Sequence, residues 1–156
     1  MSDPGVGLGF DVHAFAAGRE LRLGGVLFEG ERGLLGHSDG DVVCHAIADA
    51  LLGAVSLGDV GEHFPDTDPG GAGMAGEELL GRTVRLLADR GRAPVSMDVT
   101  VVCERPAIAP RRREMRDRLS AISGIPVDRV SVKATRPEGL GLTGDGIGCL
   151  ALAVVG

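Results

Sequence analysis

Aromatic side chains are scarce in this sequence: four of its 156 residues are Phe, and neither Trp nor Tyr occurs. Proteins that bind single-stranded nucleic acid stack the bases on aromatic side chains, so the composition excludes a stacking platform of that kind. The formal net charge of −6 also lacks the basic excess of proteins that wrap duplex nucleic acid. We therefore expect no nucleic-acid partner.

Cysteines and long apolar runs are scarce as well. Cys44, Cys103 and Cys149 are an odd number and form no CxxC pair, which argues against a disulfide framework and fits a reducing compartment. No apolar run reaches the roughly 20 residues that span a bilayer. The N-terminal Met-Ser-Asp-Pro-Gly has neither the basic start nor the apolar core of a signal peptide. These absences predict a cytoplasmic protein with no membrane partner.

Glycine, by contrast, is abundant, with 26 residues and no fixed period, which predicts tight turns and close backbone approaches. The length predicts a single domain over residues 1–156. Residue patterns predict strands at 5–13, 95–103, 129–135 and 146–155, a hairpin at 20–29, and helices at 41–57, 76–90 and 111–122. The resulting order predicts an α+β sandwich in which helices cover one face of one mixed sheet.

Three residues form a candidate metal site. Asp11 and His13 lie two apart on a predicted strand and therefore point to the same face, and His45 lies on the apolar helix. Taken singly, each has a simpler interpretation, as a turn residue, an incidental histidine or a hydrogen-bonded core histidine. Together they form a His₂-carboxylate set of the kind that binds zinc with an open fourth position. Asp49, one turn beyond His45, could orient its imidazole through a hydrogen bond, or could be a solvated helix residue.

Two glycine-containing loops flank the long helix. The HSDGD loop, residues 37–41, precedes the helix, and one of its residues Ser38, Asp39 and Asp41 is expected to cap it. A loop entering a helix also offers N–H groups to an anion, and His37 could donate a hydrogen bond to a phosphate. The second loop, 58–73, contains four acids and could bind hydroxyls or a metal, or be a solvated turn.

These motifs resemble those of the 2-C-methyl-D-erythritol 2,4-cyclodiphosphate synthase family. The resemblance rests on GxGFDVHAF, LGGV, GLLGHSDGDVxxHAxxDALLGA, LGDVGEHFPDTDP and VKAT…EGLGLTG, which occur in order across almost the whole chain. It implies an enzyme, classed as a phosphorus-oxygen lyase, that cyclises 4-diphosphocytidyl-2-C-methyl-D-erythritol 2-phosphate and releases CMP. It also implies a homotrimer with active sites between subunits, Zn2+ or another divalent transition metal at one site, and Mg2+ or Mn2+ with the substrate diphosphate.

The resemblance further assigns roles to individual residues. Asp11, His13 and His45 match the zinc ligands, and Glu138 matches the ligand of the second metal. His37, a catalytic residue, and Ser38 match the phosphate-contacting pair. The loop that closes over the sugar corresponds to Asp59, Val60, Gly61, Phe64, Pro65, Asp66, Thr67 and Asp68. The cytidine pocket, contributed by the adjacent subunit, corresponds to Cys103, Glu104, Arg105, Pro106, Ala107, Ile108 and Ala109. Further substrate contacts are expected from Thr135, Leu142 and Asp145.

The chain departs from the family at a few positions. Arg136 replaces a Thr that the family assigns to transition-state stabilisation, Asp145 an Arg, and Ile147 a Glu, while Ala107 stands where many relatives have Lys. One interpretation is drift at surface positions. The other is that Arg136 is catalytic and supplies the guanidinium that position 145 lost, pointing at the substrate phosphates or at Asp145.

Two other functions remain open at this point. One is a catalytically impaired relative that binds isoprenoid diphosphates as a trimer, and the other is a general zinc phosphodiesterase. The retained ligand set, HSDGD loop and Glu138 argue against the first, and the intact FPDTDP loop against the second.

Overall fold

The computed structural model describes residues 3–141 and 143–156, which form a mixed sheet with helices on one face. The strands are β1 (Gly5–Ala16), β2 (Leu21–Leu23), β3 (Val26–Phe28), β4 (Gly33–Leu34), β5 (Pro94–Val102), β6 (Val130–Thr135) and β7 (Gly146–Val155). The helices are α1 (Val42–Ala54), α2 (Val60–His63), α3 (Gly76–Ala88) and α4 (Arg112–Ser123). Short 3₁₀ turns occupy Ala109–Arg111 and Val127–Arg129.

The main sheet has five strands in the order β4-β1-β7-β5-β6. β5 and β6 run parallel, whereas the pairs β1/β4, β1/β7 and β5/β7 are antiparallel, so the sheet is mixed as expected. The odd-numbered residues 147–155 of β7 face the core and are buried. The even-numbered residues Val6, Leu8, Phe10 and Val12 of β1 face away from the helices and are 43–68% exposed.

The backbones of β1 and α1 lie in direct contact. A Cβ atom at Gly5, Gly7 or Gly9 would overlap the carbonyl oxygen of Ala54, Ala50 or Ala46, respectively. Two residues of strand advance about 6.6 Å and four residues of helix about 6 Å, so the two spacings stay in step over this distance. Asp11 is the next inward residue of the strand, and the contact therefore brings it beside the first turn of α1.

Asp41 fixes the start of α1. Its buried carboxylate accepts hydrogen bonds from the N–H groups of Val43 and Cys44, so it is the helix cap among the three candidates. The same carboxylate accepts N–H groups of Gly24 and Gly25, the turn between β2 and β3. Burial raises the pKa of the Asp41 carboxyl, and the backbone donors act against that shift.

Most sequence-based predictions of elements are confirmed, with three differences. The hairpin at Gly24-Gly25 forms a separate two-stranded sheet, and β4 and α2 were not predicted. Elements of two and four residues are too short to show a period, so pattern alone does not detect them. Within residues 3–141 and 143–156, no helix has the length and apolar character needed to cross a membrane.

The contact between β1 and α1 predicts that Gly7→Ala is strongly destabilising. The added methyl group must displace helix backbone, which cannot rotate away, and we expect a loss of about 3 kcal/mol or more in the free energy of unfolding. Gly53→Ala, in α1 but facing open space, is the matched control and should be neutral or stabilise by about 0.5–1 kcal/mol. Urea denaturation measures both values, and equal effects would contradict the proposed contact.

Candidate active site

The three predicted metal ligands meet at the end of the contact between β1 and α1. The Oδ2 atom of Asp11 lies 2.8 Å from Nε2 of His13 and 3.2 Å from Nδ1 of His45. One donor atom from each residue lies within 4.8 Å of the other two. The predicted triad is therefore assembled in one place, although its members are up to 34 residues apart in the chain.

The donor set fits a divalent metal. His13 donates its Nδ1 hydrogen to the carbonyl oxygen of Leu35 at 2.6 Å, so Nε2, on the side of Asp11, is the nitrogen that would bind a metal once it is deprotonated. His45 is held from its other nitrogen, because Oγ of Ser38 lies 3.2 Å from Nε2. Such partners fix the ring orientation of metal-binding imidazoles, and a carboxylate with two imidazoles suits zinc and neighbouring transition metals.

Asp49 does not orient His45 as expected. Its carboxylate instead accepts the N–H of Val60 at 2.8 Å, at the start of α2, while the ring nitrogens of His45 contact Asp11 and Ser38. The prediction from helical spacing was wrong because the loop after α1 folds back and offers Asp49 a nearer donor. Asp49 therefore anchors the second loop to α1.

The charges of the triad reinforce one another. Burial would raise the pKa of Asp11, but hydrogen bonds and charge attraction from His13 and His45 outweigh it and lower the pKa to about 2. The hydrogen bond to Asp11 in turn raises the pKa of His13 above its ordinary value. In the absence of a metal, the pair therefore favours an ionised carboxylate beside a protonated imidazole.

A cavity of about 420 Å³ opens above the triad. Besides the three ligands, it is lined by His37 and Ser38 of the first loop and by Val60, Gly61, Phe64, Pro65, Asp66 and Thr67 of the second. His37 and Asp66 link the loops, with Nε2 and Oδ2 3.6 Å apart. Asp59 and Asp68 are placed outside the lining: Asp59 caps α2 through the N–H of Glu62, and Asp68 accepts the N–H of Gly70.

A second cavity of about 500 Å³ lies elsewhere on the same chain and shares no residue with the first. It contains the whole predicted cytidine loop, Cys103, Glu104, Arg105, Pro106, Ala107, Ile108 and Ala109, together with Thr135 and Arg136. The structure thus groups the predicted substrate residues into two separate halves, one with the metal ligands and one with the cytidine loop.

The remaining predicted residues lie away from these two cavities. Glu138 lines neither and adopts a left-handed backbone with φ of 54°. Leu142 lies outside the described residues. Asp145 lines neither cavity and forms an ion pair with Arg32, with Nη2 and Oδ2 3.3 Å apart, instead of the considered pair with Arg136. Within the chain, the partner of Asp145 is thus Arg32, from the segment before β4, and Arg136 forms no ion pair with it.

Position 147, unlike the exposed position 145, does not lie at the surface. Ile147 is fully buried on the inward face of β7, opposite His13 in the strand register. Drift at the surface therefore does not describe this substitution, since the side chain belongs to the core between sheet and α1.

Several residues around the cavities were not predicted. Gly36, Gly71, Ala72, Met74 and Leu79 complete the lining of the first cavity, and Glu31, Arg112 and Ala134 that of the second. Most are apolar or small and carry no chemical signature in the sequence. Glu31 lies in a segment far from residue 105 in the chain, and its carboxylate reaches Arg105 at 3.6 Å only through the tertiary fold.

The fold and the site define an α+β protein with a candidate divalent-metal site beside a loop suited to anions. The YgbB family model matches residues 5–156, and the chain belongs to the YgbB family. The 2-C-methyl-D-erythritol 2,4-cyclodiphosphate synthase of Trichlorobacter lovleyi is 50% identical over 150 residues, covering 96% of each protein. The bifunctional enzyme IspD/IspF of Caulobacter vibrioides is 51% identical over 150 residues, and the match covers 96% of this chain but 39% of that relative's length.

Solved structures give the same result. A 2C-methyl-D-erythritol-2,4-cyclodiphosphate synthase in a CDP-bound form superposes with a TM-score of 0.89 at 36% identity, covering 97% of this chain and 99% of that one. The bifunctional IspDF from Campylobacter jejuni superposes with a TM-score of 0.92 at 35% identity, covering 98% of this chain and 42% of that one. The family resemblance expected from the sequence motifs is therefore confirmed.

The Asp11–His13 pair predicts how the stability of the metal-free protein depends on pH. Because the pKa of Asp11 is lowered on folding, this carboxylate adds to the free energy of unfolding above pH 3.8. That contribution is lost as the pH falls towards about 2. Because the pKa of His13 is raised on folding, its imidazole adds to the free energy of unfolding in full below pH 6.5. That contribution is lost as the pH rises through the pKa of His13 in the folded protein. In EDTA-treated protein, urea denaturation should show a free energy of unfolding that falls as the pH rises above about 6.5.

His13→Gln is the control, because it removes the titrating group and should flatten this slope. Added zinc should reverse it, since metal binding requires deprotonated imidazoles and strengthens as the pH rises. A slope that survives His13→Gln unchanged would assign the effect to other groups.

Proposed function

We propose that this protein converts 4-diphosphocytidyl-2-C-methyl-D-erythritol 2-phosphate into 2-C-methyl-D-erythritol 2,4-cyclodiphosphate and CMP, a phosphorus-oxygen lyase reaction of isoprenoid precursor synthesis. The observation that carries the proposal is the assembled Asp11–His13–His45 triad facing a cavity lined by the His37–Ser38 loop. The relatives that the chain matches over nearly its whole length are named for the same product. We propose that residues 1–156 act as one catalytic domain.

The reaction needs no protein nucleophile. The 2-phosphate of the substrate attacks the β-phosphorus, a new P–O bond closes the ring, and the bond to the α-phosphate breaks as CMP leaves with its electron pair. Cys103 is the one thiol in the lining of the two cavities described above, and burial raises its pKa to about 11, so it stays protonated near neutral pH. The chain therefore acts by positioning and charge.

Each part of the site has a role in holding the substrate. His37 and Ser38 bind phosphate oxygens, and the loop from Asp59 to Asp68 encloses the erythritol and its hydroxyl groups. The second cavity binds cytidine through residues 103–109 and Thr135. Arg136 is exposed at the edge of that cavity, and we propose that its guanidinium clamps the diphosphate with two donors.

Two metals complete the proposal. Asp11, His13 and His45 would hold Zn2+ or a similar ion, and Glu138 would help hold Mg2+ or Mn2+ on the diphosphate. When bound, these ions neutralise the repulsion between the two phosphate groups and polarise phosphorus. The half-buried, oriented imidazoles fit the first ion, and the exposed Glu138 fits a metal that arrives with substrate.

We further propose that the protein is a homotrimer whose active sites combine the two cavities from neighbouring subunits. One subunit holds the two halves in separate places, so neither cavity alone contains both the metal ligands and the predicted cytidine loop. A contiguous apolar surface on β1 and β7 is available for the contact: Leu8 lies opposite Leu152 and Phe10 opposite Leu150, and all four side chains are exposed. Apolar patches of this kind mark protein interfaces.

The impaired-relative alternative is not favoured. The ligand triad and the metal-side cavity are intact, and Asp145 is neutralised by Arg32, so its negative charge is offset within the chain. The phosphodiesterase alternative is weakened by the second loop, which lies over the metal side and would restrict the site to one sugar.

The proposed reaction is tested by CMP release from the family substrate. Wild-type protein should release CMP, EDTA should abolish the release, and zinc with magnesium should restore it. His45→Ala removes one ligand and should lower both bound zinc and turnover by more than about 100-fold with the fold retained. His63→Ala, whose ring bonds the carbonyl oxygen of Leu57, should keep its zinc. Stoichiometric zinc in His45→Ala would contradict the assignment of the ligands.

Subunit mixing tests the shared site. His45→Ala disables the metal half, and Ala107→Trp fills the cytidine half from an exposed position. Each variant alone should be inactive, but an equal mixture that exchanges subunits should recover about one quarter of the wild-type rate, because one site in four receives two intact halves. If each subunit contained a complete site, the mixture would stay inactive.

A further inference from the structure

The loop that carries His37 and Ser38 has no regular secondary structure, yet four consecutive carbonyl groups of its backbone are bonded to donors from distant segments. The carbonyl oxygen of Leu35 accepts a hydrogen bond from Nδ1 of His13, and the carbonyl oxygen of His37 accepts one from the N–H of Gly73. The other two carbonyls, of Gly36 and Ser38, accept hydrogen bonds from Arg19, from Nη1 at 2.7 Å and from Nη2, respectively. Arg19 therefore donates two of these four hydrogen bonds from one side chain.

The geometry of Arg19 suits this task. A guanidinium is planar and presents its two Nη donors at a fixed separation, so both bonds form only when the carbonyls of residues 36 and 38 point the same way. The arginine is itself fixed, because its backbone lies against Gly33, where a Cβ atom would overlap it. Arg19 is half-buried and lines neither of the two cavities of the active site.

Ser38 connects Arg19 to the candidate metal ligand His45. The hydroxyl of Ser38 lies 3.2 Å from Nε2 of His45 and accepts the N–H of Gly40 at 3.2 Å. Its carbonyl group is bonded to Arg19 on the other side of the same residue. A rotation of the backbone at residue 38 would thus move the hydroxyl away from both the histidine and the cavity.

We propose that Arg19 is a positioning residue that holds the His37–Ser38 loop in the conformation that binds the reacting phosphate. The inference rests on the proposed function, since it assigns Arg19 to the loop's role in that reaction. Arg19 acts through two backbone carbonyls and does not itself touch the substrate. Without it, residues 36–38 would still be present but would sample other conformations, with the phosphate contacts misplaced.

The test compares Arg19→Met with Arg116→Met. Arg116 is a matched control, because its guanidinium also bonds two backbone carbonyls, of Val130 at 2.7 Å and Val127 at 2.8 Å, and it lines neither active-site cavity. Both changes remove an equivalent pair of hydrogen bonds and should lower the thermal midpoint by similar amounts. Only Arg19→Met should lower kcat, by about 10- to 100-fold, because small misplacements of catalytic contacts cost that much.

Four further measurements separate positioning from general loss of stability. KM should change less than about threefold and bound zinc should remain stoichiometric, since the cytidine half and the metal ligands are untouched. Arg19→Lys should recover part of kcat, because an ammonium can bond one of the two carbonyls. Hydrogen exchange of the amides of residues 36–40 should be faster in Arg19→Met and unchanged in Arg116→Met.

The outcomes distinguish this inference from the proposed reaction. Wild-type protein that releases no CMP overturns the proposed function, and hydrogen exchange alone then decides whether Arg19 holds the loop. Active wild type with an Arg19→Met variant of unchanged kcat overturns the inference. Equal losses of kcat in Arg19→Met and Arg116→Met would also overturn it, because the effect would then come from stability.

Discussion

The candidate active site depends on the direct backbone contact between β1 and α1. Glycines at positions 5, 7 and 9 let the strand approach the helix until no side chain fits between them. Because the strand lies directly on the helix, Asp11 and His13, which follow the three glycines in β1, are brought to His45 in α1. A larger side chain at any of these glycines would separate the two elements and with them the carboxylate from the imidazole. The candidate metal triad is therefore a consequence of packing geometry.

Around that contact, the loops that line the candidate site are held by single polar side chains. Asp41 joins the start of α1 to the β2–β3 turn, and Asp49 joins α1 to α2. Asp39 accepts the N–H of Gly76 at the start of α3, and Arg19 holds two carbonyls of the first loop. Loops of this kind gain little from apolar burial, so each buried or half-buried polar bond has a large share in their conformation. A change at one anchor can alter the site without removing a residue that touches substrate.

The structure gives the substituted positions 145 and 136 partners that the sequence motifs do not indicate. Asp145 replaces an expected arginine but has Arg32 as its partner, whose guanidinium also lies 4.8 Å from the ring of Phe15. Arg136 lies instead with the predicted cytidine loop in the second cavity. The two substitutions therefore belong to different surroundings within one subunit, and the positive charge at 136 is available to a ligand while the negative charge at 145 is offset.

The sequence by itself determined the class of fold, the long elements, the metal triad and the family. These features leave local signals: strand alternation, long apolar runs, and chemically distinctive residues such as Asp11, His13 and His45 at telling spacings. It did not determine the short elements β4 and α2, the partner of Asp49, the ion pair of Asp145 or the role of Arg19. Each of those depends on which backbone groups and side chains from distant segments meet. The residues next to a position in the chain do not indicate which distant groups it contacts. Only the tertiary structure decided them, because hydrogen bonds and ion pairs form between the groups that packing brings within about 3 Å.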